Sequence, residues 1–133
     1  MLIIDPLKGK VRRVKYDGDF ASVRKAIGCD MVDVIRVDDG IDMFVDDEGM
    51  YKNPCLTNVM ATHLRVRDWL RNPESYDWSQ APYYAPVFGV AVVLGVDYEG
   101  STVELDDAQN QLVLEILGQD QTMPYENEKE EQA

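Results

Sequence analysis

The apolar positions along the chain form short runs that are separated by turn residues. Residues 2–4 are one such run, residues 5–10 supply a proline and a glycine, and residues 11–16 follow as a second run. Apolar runs of this length around a turn predict a β-hairpin. In the second run apolar and basic residues alternate, which indicates one buried face and one basic, solvated face.

A second hairpin is predicted across Asp39 and Gly40, which lie between the apolar runs 31–37 and 41–45. Aspartate and glycine tolerate the positive φ that both central residues of a type I′ turn require, and this turn matches the twist of paired strands. We therefore predict antiparallel pairing of 31–37 with 41–45 through a type I′ turn.

The helical spacing of apolar residues predicts three helices. Each begins at a residue whose side chain can accept a hydrogen bond from the free N–H groups of the first turn. The predicted helices run from a cap at Asp19 to Gly28, from a cap at Thr57 or Asn58 to about Leu70, and from a cap at Asp106, with Gln109 completing a capping box, to Gly118.

Residues 87–96 are the most apolar segment of the chain. They show no alternation, which predicts one central strand that is buried on both faces. Gly89 and Gly95 within this segment indicate a bulge or the close approach of another backbone. The preceding residues 72–86 contain three prolines and are predicted to form a long irregular loop.

These elements predict an α+β fold, in which a small mixed or antiparallel sheet of hairpins carries two or three packed helices. The length of 133 residues fits a single domain. We place this domain at residues 1–118. Residues 119–133, where apolar residues become sparse and acidic residues frequent, are expected to form an acidic flexible tail.

Charge is the strongest compositional signal, because the net charge is −12. Residues 1–57 hold 11 acidic and 9 basic residues, whereas residues 58–133 hold 14 acidic and 4 basic residues. Such an excess repels a phosphate backbone, so direct binding of nucleic acid is not expected. No apolar run approaches the roughly 20 residues of a membrane helix and no signal-peptide pattern is present, so we expect a cytoplasmic protein without membrane contact.

The second hairpin is also the first candidate binding site, because six carboxylates lie between residues 38 and 48. Three interpretations of this acidic hairpin stay open: turns favour aspartate, carboxylates can bind a divalent cation, and an acidic surface can bind a basic partner. The spacing of a calcium-binding loop is absent, so no metal is assigned. The six residues are Asp38, Asp39, Asp42, Asp46, Asp47 and Glu48.

The aromatic residues of the loop 72–86 are the second candidate. In such a loop they form either a binding surface or a cap over the sheet, because tyrosine and tryptophan supply large, rigid contacts. The residues concerned are Tyr76, Trp78, Tyr83 and Tyr84.

No residue pattern identifies a catalytic site or a cofactor. His63 is the only histidine, and it is predicted to lie on the buried face of its helix. Cys29 and Cys55 fit neither a disulfide framework nor a metal site, and we interpret both as free thiols. The glycine residues lack the spacing and the following lysine of a phosphate-binding loop.

An ordered series of short motifs runs through the first 97 residues. It consists of the segments 34–40 and 45–49, Asn53-Pro54, Asn58 with Ala61-Thr62, and the apolar strand from Gly89 to Gly95. In this series the chain resembles DUF3846, a family of uncharacterised domains. The resemblance implies a setting in bacteriophages, plasmids and Gram-positive bacteria, and it implies no particular reaction. The loop 72–86 and the acidic C-terminus depart from the family pattern.

The leading functional hypothesis is a small acidic interaction protein of a mobile element that binds a basic host protein. In its sharpest form this protein is a DNA mimic that inhibits a nucleic-acid-handling defence protein of the restriction or CRISPR type, because an acidic surface can occupy a groove for phosphates. Two alternatives remain: a metal-dependent enzyme that uses the carboxylates of residues 38–48, and an accessory domain in phage DNA metabolism.

Overall fold

The computed structural model describes residues 1–52, 54–71 and 86–126. A 3₁₀ turn spans Gly49–Tyr51. The helices are α1 (Ala21–Ile27), α2 (Val59–Arg71) and α3 (Asp107–Ile116). The strands are β1 (Leu2–Asp5), β2 (Lys10–Arg13), β3 (Val32–Asp38), β4 (Ile41–Asp46), β5 (Thr57–Asn58), β6 (Val87–Phe88), β7 (Ala91–Val96) and β8 (Thr102–Val103).

The main sheet is antiparallel and has the strand order β2-β1-β7-β4-β3, with β8 paired to the end of β7. The strands β5 and β6 form a separate antiparallel pair. β7 lies at the centre of the main sheet, and β2 and β3 are its edges. This arrangement, with three helices beside an antiparallel sheet, confirms the predicted α+β class.

Successive strand residues point to opposite faces of the sheet, so both faces carry apolar side chains. Helices cover both faces. On one face, Ala61 and Leu64 of α2 and Val113 of α3 share a core with strand residues such as Met43. On the other face, a smaller core joins residues of α1 to the sheet, including Val23, Ile27, Phe44 and Val92. The two cores together hold the sheet in the middle layer.

Both predicted hairpins are present, but the turn type predicted for the second hairpin is wrong. β3 pairs with β4 across Asp39 and Gly40. Only Gly40 has a positive φ, of 73°, whereas a type I′ turn needs a positive φ at both central residues. The register shifts between Arg36 and Asp38, so a β-bulge in β3 adjusts the strand to the turn instead.

The prediction of one continuous strand over residues 87–96 is also wrong. Gly89 has a φ of 80° and separates β6 from β7, which belong to different sheets. The close approach predicted for Gly95 is confirmed, because a Cβ atom there would lie 3.2 Å from the carbonyl oxygen of Glu104. The apolar composition of the segment reports its burial and does not reveal the glycine turn within it.

The helix starts confirm two of the three predicted caps. The side chain of Asn58 accepts a hydrogen bond from Ala61 N at the start of α2, at 3.1 Å. α3 begins with a complete capping box between Asp106 and Gln109. The third predicted cap, Asp19, lies one residue too early, because Phe20 occupies the N-cap position of α1 and the Asp19 carboxylate accepts from Ala21 N at 2.9 Å.

Asn58 joins three parts of the fold through one buried side chain. Only 1% of its surface is exposed. Its Nδ2 group donates to the carbonyl oxygen of Ile4 in β1 at 3.0 Å and to that of Gly89 at 2.9 Å, while its Oδ1 atom caps α2 at Ala61. The side chain therefore fixes the β6–β7 break against both β1 and α2.

Thr62 adds a second connection at the same place. Its hydroxyl group donates to the Asn58 carbonyl oxygen at 2.8 Å and accepts from Val87 N at 2.8 Å. The first turn of α2 is thus tied to the start of β6. The sequence motif of Asn58 with Ala61-Thr62 therefore has a structural role, which is to connect α2 to β1 and β6.

We expect Asn58→Ala to lower the free energy of unfolding by about 2 to 4 kcal/mol, because one buried and one partly buried carbonyl group and one helix N–H group lose their partner. Urea unfolding monitored by circular dichroism measures the change. Thr57→Ala, at the exposed neighbouring position, is the control and should cost less than about 0.5 kcal/mol. Equal stability of the two variants would contradict the role given to Asn58.

Candidate functional site

The turns of the antiparallel sheet gather at its two ends. At one end the β3–β4 turn lies beside residues 96–100 and the start of α3, and we call this the Gly40 end. At the other end the β1–β2 turn, the C-terminus of α1 and Gly89 meet, and we call this the Gly89 end. The acidic hairpin runs from one end to the other.

The six carboxylates of the acidic hairpin therefore do not form one surface. Asp38 and Asp39 lie at the Gly40 end, whereas Asp46, Asp47 and Glu48 lie at or beyond the last residue of β4, toward the Gly89 end. Asp42 lies between these groups, within β4.

Three of these carboxylates form ion pairs with other residues that the structure describes. Asp38 contacts Arg67 of α2 at 2.7 Å, Asp42 contacts Arg36 of the neighbouring strand at 2.9 Å, and Asp46 contacts Lys52 at 3.6 Å. The side chain of Arg67 is only 7% exposed, so its pair with Asp38 anchors α2 to the hairpin. The exposed carboxylates of the hairpin are Asp39, Asp47 and Glu48.

A groove of about 490 Å³ lies at the Gly40 end. Two hydrogen bonds hold its wall, because the carbonyl oxygen of Gly40 accepts from Val96 N at 2.9 Å and from the Gln109 Nε2 group at 3.1 Å. The Gln109 Oε1 atom also accepts from Asp106 N at 3.0 Å in the capping box. One glutamine side chain thus closes the start of α3 and fixes the β3–β4 turn.

The rim of this groove carries exposed acidic residues, the exposed aromatic residue Tyr98, and the exposed Arg36, which pairs with Asp42. Asp97 accepts hydrogen bonds from Glu99 N and Ser101 N, at 2.9 and 2.8 Å, which shape the turn after β7. Tyr98 within this turn is fully exposed. We name the acidic end as the set of exposed residues Asp39, Asp97, Tyr98, Glu99 and Asp106.

The sequence prediction missed Tyr98 and Asp97, although a signal for them existed. Residues 86–126 contain eight acidic residues and neither lysine nor arginine. A count of charge within this segment identifies it as acidic, but only the fold shows that Asp97 and Asp106 lie at one groove with Asp39.

A second groove, of about 310 Å³, lies at the Gly89 end and has a largely apolar lining that includes Ile27, Pro54 and Leu56. Gly49 packs closely at this place, because a Cβ atom there would lie 2.8 Å from the Phe88 carbonyl oxygen. Gly49 of the segment 45–49 is therefore required by packing, because any side chain there would collide with the Phe88 backbone.

Cys29 lies at an adjoining surface groove with Arg24, Lys25 and Lys52. It is partly buried, and its thiol lies 3.4 Å from the Met31 carbonyl oxygen. Burial raises the pKa of the Cys29 thiol, and the nearby Asp46 carboxylate raises this pKa further. Cys55 is exposed, and both cysteines are free, as predicted.

The predicted position of His63 is wrong, because its side chain is exposed on α2. Helical periodicity placed it on the face of Leu64, but the buried stripe of α2 runs through Ala61, Leu64 and Arg67. The second candidate of the sequence analysis, Tyr76, Trp78, Tyr83 and Tyr84, lies outside the described residues.

Within the described ranges, no group of three or more histidine, cysteine, aspartate or glutamate side chains is arranged to hold a metal ion. No helix in the same ranges is long and apolar enough to cross a membrane.

The fold and its two ends define a small α+β domain whose motif residues Gly49, Asn58, Thr62 and Gly89 serve its structure. The chain belongs to the DUF3846 family, described as a domain of unknown function, whose model matches residues 1–118. No curated protein and no solved structure matches the chain.

We expect Mg²⁺, Mn²⁺ and Ca²⁺ to bind no tighter than about 1 mM, because Asp38, Asp42 and Asp46 are separated along the hairpin and each contacts a cationic side chain. Isothermal titration calorimetry at low salt tests this expectation. A stoichiometric site of about micromolar affinity would contradict it and would favour the metal-dependent enzyme.

We expect iodoacetamide to alkylate Cys55 several times faster than Cys29 at about pH 8. The raised pKa of Cys29 leaves less thiolate at this pH, and partial burial limits access. Peptide mapping by mass spectrometry measures both rates in one sample. Cys55→Ser provides the control for Cys29 alone, and faster labelling of Cys29 would contradict the burial described here.

Proposed function

We propose that the protein is an interaction protein that binds a basic protein partner through the acidic end. The observation that carries this proposal is the set of exposed carboxylates around the groove at the Gly40 end, beside the fully exposed Tyr98. Tyrosine at the centre of an interface supplies a large contact area at low entropic cost. Carboxylates around it supply complementarity to lysine and arginine.

The distribution of charge supports this assignment of the surface. The eight acidic residues of 86–126 are not offset by any basic residue of that segment. A net charge of −12 attracts a basic partner at long range and can raise the association rate by about 10 to 1,000-fold at low salt. Such steering is screened as the Debye length falls from about 10 Å at 0.1 M to about 3 Å at 1 M salt.

A protein that handles nucleic acid is the partner that this chemistry fits best. Its basic groove is built for phosphate oxygens, and carboxylate oxygens on a rigid turn can occupy the same positions. In the proposed role the protein acts in the cytoplasm of a host cell as a DNA mimic, and its target is a defence protein of the restriction or CRISPR type.

The test compares two variants that each remove three negative charges. Asp39→Asn/Asp97→Asn/Glu99→Gln changes the acidic end, and Asp30→Asn/Asp47→Asn/Glu48→Gln changes exposed carboxylates near the Gly89 end. Both sets keep the side-chain oxygen that accepts hydrogen bonds in the turns. Parent and variants are immobilised, exposed to bacterial lysate at low salt, and their bound proteins are identified by mass spectrometry.

We expect the parent and the Gly89-end variant to capture the same nucleic-acid-binding proteins and the acidic-end variant to lose them. Duplex DNA should compete for the captured protein, and about 1 M salt should release it. Equal capture by both variants would overturn the role of the acidic end. Capture that duplex DNA cannot compete would overturn DNA mimicry and leave a plain interaction protein.

A further inference from the structure

The edge strand β2 and the residues on either side of it carry a concentration of positive charge that the proposed function does not use. Residues 8–15 contain five lysine or arginine residues and no acidic residue. They are Lys8, Lys10, Arg12, Arg13 and Lys15, and we call them the basic edge. In a protein with a net charge of −12 this local excess stands alone among the described strands.

The segment 123–126 lies against the basic edge. The guanidinium carbon of Arg13 is 4.0 Å from the centre of the Tyr125 ring, and the Lys15 ammonium nitrogen is 5.6 Å from it. The Arg12 guanidinium contacts the Glu126 carboxylate at 2.6 Å. Neighbouring strand residues point to opposite faces of a sheet, so the segment passes across the edge of β2 between Arg13 and Arg12.

These contacts hold Tyr125 and Glu126 weakly. The side chains of Arg12 and Glu126 are 38% and 39% exposed, and exposed ion pairs contribute little to stability. A cation–π contact at a partly exposed site is similarly modest. Met123, at the start of the segment, is held more firmly, because its carbonyl oxygen accepts from the Arg13 guanidinium at 2.9 Å and its side chain packs against the main core.

The segment also leaves Arg13 incompletely satisfied. The Nε atom of Arg13 is buried and has no hydrogen-bond partner among the described residues, although buried donors are normally paired. The remaining acid contact of this side chain, to Asp107, is long at 3.9 Å. A carboxylate that approaches the guanidinium side-on can accept from Nε and a terminal nitrogen together.

We propose that the basic edge is a docking site for an extended segment of a partner protein that presents an aromatic residue next to a carboxylate. The chain's own Tyr125 and Glu126 supply this chemistry in the free protein and therefore act as a built-in competitor. The partner segment displaces Tyr125 and Glu126, while Met123 stays packed against the main core, and it pairs more fully with Arg13. This site lies on β2 and shares no residue with the acidic end.

The probe is a labelled peptide with the sequence of residues 119–126, acetylated and amidated at its ends. Its binding is followed by amide chemical shifts of the full-length protein, which also report whether each variant is folded. Tyr125→Ala/Glu126→Gln removes the internal competitor. Tyr98→Ala/Glu99→Gln changes the same two residue types at the acidic end and is the matched control.

We expect the Tyr125/Glu126 variant to bind the peptide about 10-fold tighter than the parent, with shifts at residues 10–15, because the competitor no longer lowers the fraction of open sites. The Tyr98/Glu99 control should bind as the parent does. Adding Arg13→Lys to the Tyr125/Glu126 variant should remove the gain, because lysine keeps the charge and cannot form the paired hydrogen bonds.

Equal affinity of the parent and the Tyr125/Glu126 variant in folded samples would overturn the proposal. Tighter binding of an oligothymidine of similar length than of the peptide would also overturn it, in favour of a nucleic-acid site. The Tyr125/Glu126 variant could also form a dimer that is lost when Tyr98 and Glu99 are changed as well. That result would overturn a separate partner protein, because the docked segment would then belong to a second copy of this chain.

Discussion

The hydrogen bonds of the buried Asn58 side chain connect elements that lie far apart in the sequence. They hold the carbonyl groups of Ile4 and Gly89 and the first turn of α2 at one point. The position of Gly89 determines where β6 ends and where β7 enters the centre of the sheet. The place where the chain leaves β6 and enters β7 is therefore fixed against both β1 and α2 by this joint.

The acidic second part of the chain is neutralised unevenly by the first part. Near β2, Glu104 pairs with the amino group of Met1 and accepts from Tyr16 N, and Glu126 pairs with Arg12. At the acidic end, Asp97 accepts only backbone N–H groups of its own turn among the hydrogen bonds described. Some of these carboxylates are therefore paired and others are exposed, although the sequence gives only how the charges are distributed along the chain.

Local chemistry made much of the fold predictable. The Asp39-Gly40 pair located a hairpin, and Asn58, Asp106 and Gln109 located two helix starts, because these residues act on neighbouring backbone groups. The break at Gly89 was missed because it depends on Asn58, which lies 31 residues away. Likewise the acidic end joins the β3–β4 turn to the turn after β7 and the start of α3, more than 50 residues further along the chain, and the contact of Tyr125 with β2 spans the described domain. Sequence patterns carry little information on such pairings.

The bulge in β3 has a consequence for how the protein behaves at high concentration. β3 is an edge of the main sheet and is seven residues long, and Val34 on it is 52% exposed. A flat, regular edge strand offers its free backbone groups to the edge strand of another molecule. The irregular register between Arg36 and Asp38 twists the strand locally, and the exposed charges of Asp33 and Arg36 must be desolvated by any added strand. The same irregularity that fits the hairpin to its turn thus protects the sheet from growing into an aggregate.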